Sequence, residues 1–119
     1  MHHSYTEINL DKSVNVRFKT IYKNNLTLHF KFYDKNEVAI NVSGLSFRFT
    51  ITDKGKTVEL LVVQNSQWTR PSSNEIKHVI NSLDIVPDTY KVDFTCTYAD
   101  GRIQTLMDGE FIIRERYIL

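Results

Sequence analysis

Apolar and polar side chains alternate with period two over most of this chain, most clearly near its carboxy-terminal end. Tyr90, Val92, Phe94, Cys96 and Tyr98 occupy every second position, with Lys91, Asp93, Thr95 and Thr97 between them. In a pleated strand that alternation places the two sets on opposite faces, one dry and one wet. Ala99-Asp100-Gly101-Arg102 then supplies an Asp-Gly hairpin turn, whose glycine accepts a positive φ that a bulkier residue resists. The predicted return strand carries Ile103, Thr105 and Met107, and after Asp108-Gly109 the chain resumes with Phe111 and Ile113.

The same period recurs upstream. Val14, Val16, Phe18, Thr20 and Tyr22 predict a strand broken by Lys23-Asn24-Asn25, and Leu26, Leu28, Phe30 and Phe32 another, ended by Asp34-Lys35-Asn36. Val38, Ile40 and Val42 mark an extended connection that closes at Ser43-Gly44. Leu45, Phe47, Phe49 and Ile51 predict the next strand, with Arg48 and Thr50 toward water. Asp53-Lys54-Gly55-Lys56 turns the chain into a strand over residues 57–63. There Leu60-Leu61-Val62-Val63 is apolar on both faces and leaves the register open. Residues 1–13, polar and aperiodic, read as a flexible amino-terminal arm ahead of a single domain over 14–119.

Residues 64–74 form the longest loop, and the segment after it carries two patterns. Ile76, Val79, Ile80 and Leu83 recur at helical spacing, and Ser72 three residues before Glu75 resembles a capping box. Ile76, His78 and Ile80 also fit a short strand. The all-strand context favours a strand over 75–80, followed by a turn around Ser82-Leu83-Asp84. About seven short strands, each with one apolar face, predict an all-β, immunoglobulin-like antiparallel β-sandwich, because two such sheets hide their apolar faces by packing together. Phe18, Phe30, Phe47, Phe49, Phe94 and Phe111 are its expected core.

Composition narrows the function classes. The 119 residues are 41% hydrophobic and 24% charged, which is ordinary for a globular domain. Fifteen basic and fourteen acidic side chains, mixed along the chain, lack the clustered basic face of a nucleic-acid binder. No apolar run approaches the ~20 residues needed to span a bilayer, and residues 1–6 lack the pattern of a secretory signal. Cys96, the only cysteine, sits in the dry row with threonines beside it, so it reads as a buried small hydrophobe rather than a reactive thiol.

No catalytic chemistry stands out. His2, His3, His29 and His78 are too scattered for a zinc signature, although His3 beside a free amino terminus offers nitrogen donors of the kind copper takes. There is no Gly-x-Ser-x-Gly elbow and no phosphate-cradling glycine loop. Asp108 with Glu110, and Asp34 near Glu37, fall at turn positions where solvation is the ordinary role. The chain is therefore expected not to be an enzyme and to need no cofactor or metal. Trp68 and Arg70, in the long polar loop, belong to the residue types most enriched at interaction hot spots. Trp68 has two readings: a lid over one end of the sandwich, or an exposed contact for a partner or a sugar ring. The tail residues Tyr117, Ile118 and Leu119 are apolar and expected to dock, on this domain or on a neighbouring subunit.

The order of these signals resembles the immunoglobulin-like modules of tailed-phage virion proteins, including the amino-terminal domain of baseplate upper proteins and small capsid-associated domains. The resemblance spans residues 14–114. It rests on the strand pair before Asp34, on Val38-Ala39-Ile40-Asn41-Val42-Ser43-Gly44, and on Leu45 to Ile51 before Lys54-Gly55-Lys56. Its closing signature is Val86-Pro87-Asp88-Thr89-Tyr90-Lys91-Val92-Asp93-Phe94, Tyr98-Ala99-Asp100-Gly101-Arg102 and Thr105-Leu106-Met107-Asp108-Gly109-Glu110-Phe111. Thr89 stands where such modules usually have glycine. The resemblance implies a non-enzymatic virion structural protein, made in the host cytoplasm, whose partners are capsid or baseplate and tail subunits or further copies of itself. Because the chain stops soon after the closing hairpin, a capsid auxiliary or decoration protein is expected ahead of a baseplate or tail adaptor. A carbohydrate-binding module using Trp68 is the alternative from another class, and a cellular adhesion or adaptor domain comes third.

Overall fold

A computed structural model describes the backbone of residues 6–10 and 14–115, with side chains described for 6–10 and 17–115. Among these residues the chain forms eight strands: β1 (Thr6–Asn9), β2 (Val14–Ile21), β3 (Leu26–Tyr33), β4 (Ser46–Thr52), β5 (Glu59–Val63), β6 (Glu75–Ile80), β7 (Asp88–Thr97) and β8 (Ile103–Arg114). One 3₁₀ turn, Asn65–Gln67, follows β5. The strands divide into a three-stranded sheet in the order β1-β3-β6 and a five-stranded sheet in the order β2-β8-β7-β4-β5. The protein is an all-β, immunoglobulin-like β-sandwich.

The alternation read from sequence is what closes the two sheets on each other. Leu28, Phe30 and Phe32 of β3 face Phe47 and Phe49 of β4 and Val92, Phe94 and Cys96 of β7, and all are buried in one core. Phe30 stacks on Phe94 at 4.5 Å and Phe32 on Phe47 at 4.8 Å, so aromatic pairs span the space between the sheets. Five of the six expected core phenylalanines are fully buried, and Phe18 packs against them from the rim. Tyr90, at the start of β7, donates its hydroxyl to the carbonyl oxygen of Val86, the corner tether typical of such sandwiches. Burial and the nearby Asp88 carboxylate raise the Tyr90 phenol above its ordinary pKa.

Several expectations need correction. Part of the segment read as a flexible arm is β1, which pairs parallel to β3 with Thr6 opposite Phe30 and Asn9 opposite Tyr33. Its buried residue, Ile8, adds one apolar side chain to the core, too short a pattern to register against polar neighbours. The sandwich is not purely antiparallel either, since β2 runs parallel to β8. Thr50 does not face water: it is 5% exposed, because β5 and β7 flank its strand and Arg48 reaches over to its hydroxyl.

The return strand also differs. Asp108-Gly109 is not a break, since β8 runs unbroken through it, with Gly109 in register between Val16 and Val92. Between Phe94 and Thr95 the β7–β8 register shifts, leaving Leu106 as an extra residue. That bulge buries Leu106 and Met107 together and turns Ile103, 71% exposed, to the outer face.

The two ambiguous segments resolve. Residues 75–80 are a strand, antiparallel to β3, with Ile76 opposite Phe30. In β5, Leu61 opposite Ile51 and Val63 opposite Phe49 share the core side, and Val62 opposite Thr50 the outer side. The register shift lies between Ile51 and Thr52, so Leu60 is the extra residue there.

Candidate functional site

The residues singled out from sequence fall into two groups. Tyr117, Ile118 and Leu119 lie outside the described residues. Trp68 and Arg70 are described, and neither presents the contact surface expected of a partner-binding loop. Trp68 is 6% exposed; its ring lies 6.0 Å from Phe30 and 6.0 Å from Phe94, and its Nε1 donates to the Phe47 carbonyl at 3.2 Å. No open ring face remains for a sugar. Arg70 lays its guanidinium over the Phe47 ring at 5.4 Å. It donates to the carbonyls of Val42 (2.9 Å) and Leu45 (2.7 Å) and to Asn65 Oδ1 (3.0 Å). The same Asn65 oxygen accepts the Phe47 amide at 3.1 Å. The loop thus caps the start of β4, and its hot-spot side chains are consumed internally. The polar residues around Trp68 concealed this, because one aromatic in a loop creates no periodicity.

Other chemically capable groups are likewise engaged. Cys96 is fully buried, and burial pushes its thiol above the ordinary value. His29 Nε2 meets Glu75 Oε2 at 2.7 Å, and the Ser72 hydroxyl donates to Glu75 Oε1 at 2.7 Å. Those hydrogen bonds, Ser72 first and His29 second, hold the Glu75 carboxyl below the usual range. Here the carboxylate sits between serine and histidine, so the histidine is not placed to take the serine proton. His78 Nδ1 lies 3.0 Å from the Gln67 carbonyl. Among the described residues, no three His, Cys, Asp or Glu side chains converge on a point where a metal could sit.

The chemistry left open lies on the outer face and free edge of the five-stranded sheet. A cleft of about 170 Å³ is lined by Arg48, Thr50 and Thr52 of β4, Lys91 and Asp93 of β7, and Lys56 and Glu59 around the β4–β5 hairpin. Thr52 is opposite Lys91, and Thr50 opposite Asp93. Arg48 is held by Glu59 at 2.8 Å and donates to Thr50 Oγ1 at 3.3 Å. Asp93 is also directly opposite Asp108 on β8, a like-charge cross-strand pair that costs stability. Sequence reading saw these residues only as wet-face and turn positions.

The hairpin beside the cleft is held by Asp53. Its carboxylate accepts the Thr57 hydroxyl at 2.6 Å and the amides of Thr57 (2.7 Å) and Val58 (3.0 Å). Those bonds, the Thr57 hydroxyl foremost, hold the Asp53 carboxyl below the usual carboxylate range. Within this turn Lys56 takes φ 58°, whereas Gly55, the residue suited to that conformation, does not use it. A left-handed non-glycine residue costs on the order of 1 kcal/mol.

Beyond the hairpin, β5 forms an edge of the sheet, and among the described residues no strand pairs with its outer side. Val58 beside it is 52% exposed and Leu60 within it 40%. By contrast, β6 at the edge of the other sheet is bridged by Thr69 opposite Lys77.

No protein-family model matches the chain, and no curated protein matches it in sequence. Solved structures of similar outline include CopC from Methylosinus trichosporium OB3b, 14% identical with a TM-score of 0.48 over 87% of this chain and 88% of that one. Murine CRIg is 11% identical, with a TM-score of 0.45 over 85% and 92%. SGBP-B of the Bacteroides ovatus mixed-linkage glucan utilization locus, solved in complex with a mixed-linkage heptasaccharide, is 14% identical with a TM-score of 0.39 over 95% of this chain and 24% of its own. Likeness at these scores says nothing about a ligand or partner here.

Proposed function

We propose that this chain is a non-enzymatic structural module of a phage virion, a capsid auxiliary or decoration protein that binds other virion subunits. The virion part of the reading rests on the resemblance over residues 14–114. The observation that supports binding through the surface is the outer edge of β5, with which no strand pairs among the described residues and beside which Val58 and Leu60 are half-exposed. Such an edge accepts an extended segment of a neighbouring subunit as one more strand: main-chain hydrogen bonds supply affinity, and alternate side chains supply selectivity.

Co-expression with the structural proteins encoded beside it, followed by sedimentation of assembled particles, tests the reading. The chain is expected to co-sediment with capsids in many copies, and Leu60→Lys to reduce its occupancy sharply while remaining folded. Absence of the wild-type chain from both capsid and tail fractions overturns the virion role. Unchanged occupancy of the Leu60→Lys variant overturns the role of the edge.

A further inference from the structure

We propose that the cleft on the outer face of the five-stranded sheet is a binding site for a small oxyanion, a phosphate or carboxylate group, with Lys56 and Lys91 as its counter-ions. Size is the first argument. At about 30 Å³ per liquid water, the 170 Å³ space equals five to six waters, enough for one such group and a short substituent.

Charge is the second. Three cations and two carboxylates line the cleft, and the Arg48 charge is already matched by Glu59. Among the described residues neither the Lys56 nor the Lys91 ammonium group has a hydrogen-bond or ion-pair partner. Two unmatched ammonium groups bordering one cleft repel each other, and an anion between them removes that cost. Among the described residues the Thr52 hydroxyl in the same lining has no side-chain hydrogen bond and can donate to such a group. The Asp93 carboxylate in the same lining, two residues from Lys91 on β7, opposes added negative charge, which limits the ligand to one compact anionic group.

Backbone placement is the third argument. The turn sets Lys56 in the left-handed region although Gly55 stands next to it. The Asp53 carboxylate and the Lys56 amide bond to the Asp53 carbonyl (2.9 Å) keep it there. The turn thereby fixes the backbone from which the Lys56 side chain reaches the cleft that it lines. The inference does not rest on the virion reading.

Titration of the ¹⁵N-labelled protein with inorganic phosphate, at ionic strength held constant with sodium chloride, tests it. Saturable amide shifts are expected around residues 50–52, 56 and 91–93, with a millimolar Kd. Lys91→Gln and Lys56→Gly should each weaken binding about fivefold or more, the scale of losing one exposed charge contact. Lys56→Gly should at the same time raise the unfolding midpoint, which separates a binding role from a merely structural one. Lys54→Gln, on the same hairpin but outside the cleft, should change neither. A capped acidic peptide binding at least as well as phosphate would assign the oxyanion to a partner's side chain, and weaker binding would assign it to a free ligand. Shifts that fail to saturate, or phosphate affinity unchanged in the Lys56→Gly/Lys91→Gln double variant, would overturn the proposal.

Discussion

The two connections that flank β5 look alike in sequence and behave oppositely in the structure. Both are mostly polar, four and eleven residues long, and each carries at least one basic residue. The loop over residues 64–74 turns inward: Trp68 enters the core, and Arg70 satisfies two backbone carbonyls. The hairpin at residues 53–56 turns outward, pinned by Asp53 so that Lys56 stands over a cleft. The difference lies in what each cation finds within reach. Arg70 meets the Val42 and Leu45 carbonyls where β4 begins, and its planar fork can bond two at once. Lys56 instead borders a cleft shared with threonines, another lysine, Asp93 and the Arg48–Glu59 pair, and among the described residues its ammonium group bonds none of them. Residue types enriched at interfaces are therefore a poor guide here, because the same aromatic and guanidinium chemistry also closes a loop onto its own domain.

The sharpest way to break that contrast is to remove the inward anchor. Trp68→Ala should cost about 3–5 kcal/mol, since it empties a core site and frees the Phe47 carbonyl. Chemical denaturation reads this directly, and a loss below about 1 kcal/mol, the scale of an ordinary surface change, would mean that the indole is not anchored as described. Next in size, Arg70→Ala should destabilise by roughly 1–3 kcal/mol, because it removes charged hydrogen bonds to the Val42 and Leu45 carbonyls and the Leu45 carbonyl loses its partner. Arg70→Lys should recover only part of that, because one ammonium cannot reproduce the fork.

The smallest effect concerns the outward loop and acid. The folded-state pKa of Asp53 is depressed, so its contribution is complete above the unfolded carboxylate value, about 3.9, and is lost as pH falls through the lower folded value. Asp53→Asn should therefore flatten the acid limb of stability measured by thermal melting, and an unchanged limb would show that the turn does not depend on the ionised carboxylate.

Much of the fold was legible because it is written in period two. Rows such as Leu28-Phe30-Phe32 and Tyr90-Val92-Phe94-Cys96 declare their buried face without any knowledge of the partner sheet. The failures came where that period is locally absent or interrupted. Four residues of β1 carry too little pattern to separate from a polar tail. A single extra residue, Leu106, reversed the facing of Ile103, and nothing in the local sequence distinguishes a bulge from an ordinary step. Thr50 was assigned to water by parity, yet its position on a strand flanked on both sides, under Arg48, buries it.

The candidate site was less legible still. Lys56, Lys91, Thr52 and Asp93 are scattered over 42 positions and become neighbours only when β4, β5 and β7 lie side by side. By itself the sequence determined which side chains point inward along the strands whose alternation is unbroken, such as β3 and β7, since alternation is a property of one strand's own pleat. Tertiary structure alone decided which strands became edges, where Trp68 went and which charges were left unmatched. Those outcomes depend on distances between segments far apart in the chain, and no local pattern encodes them.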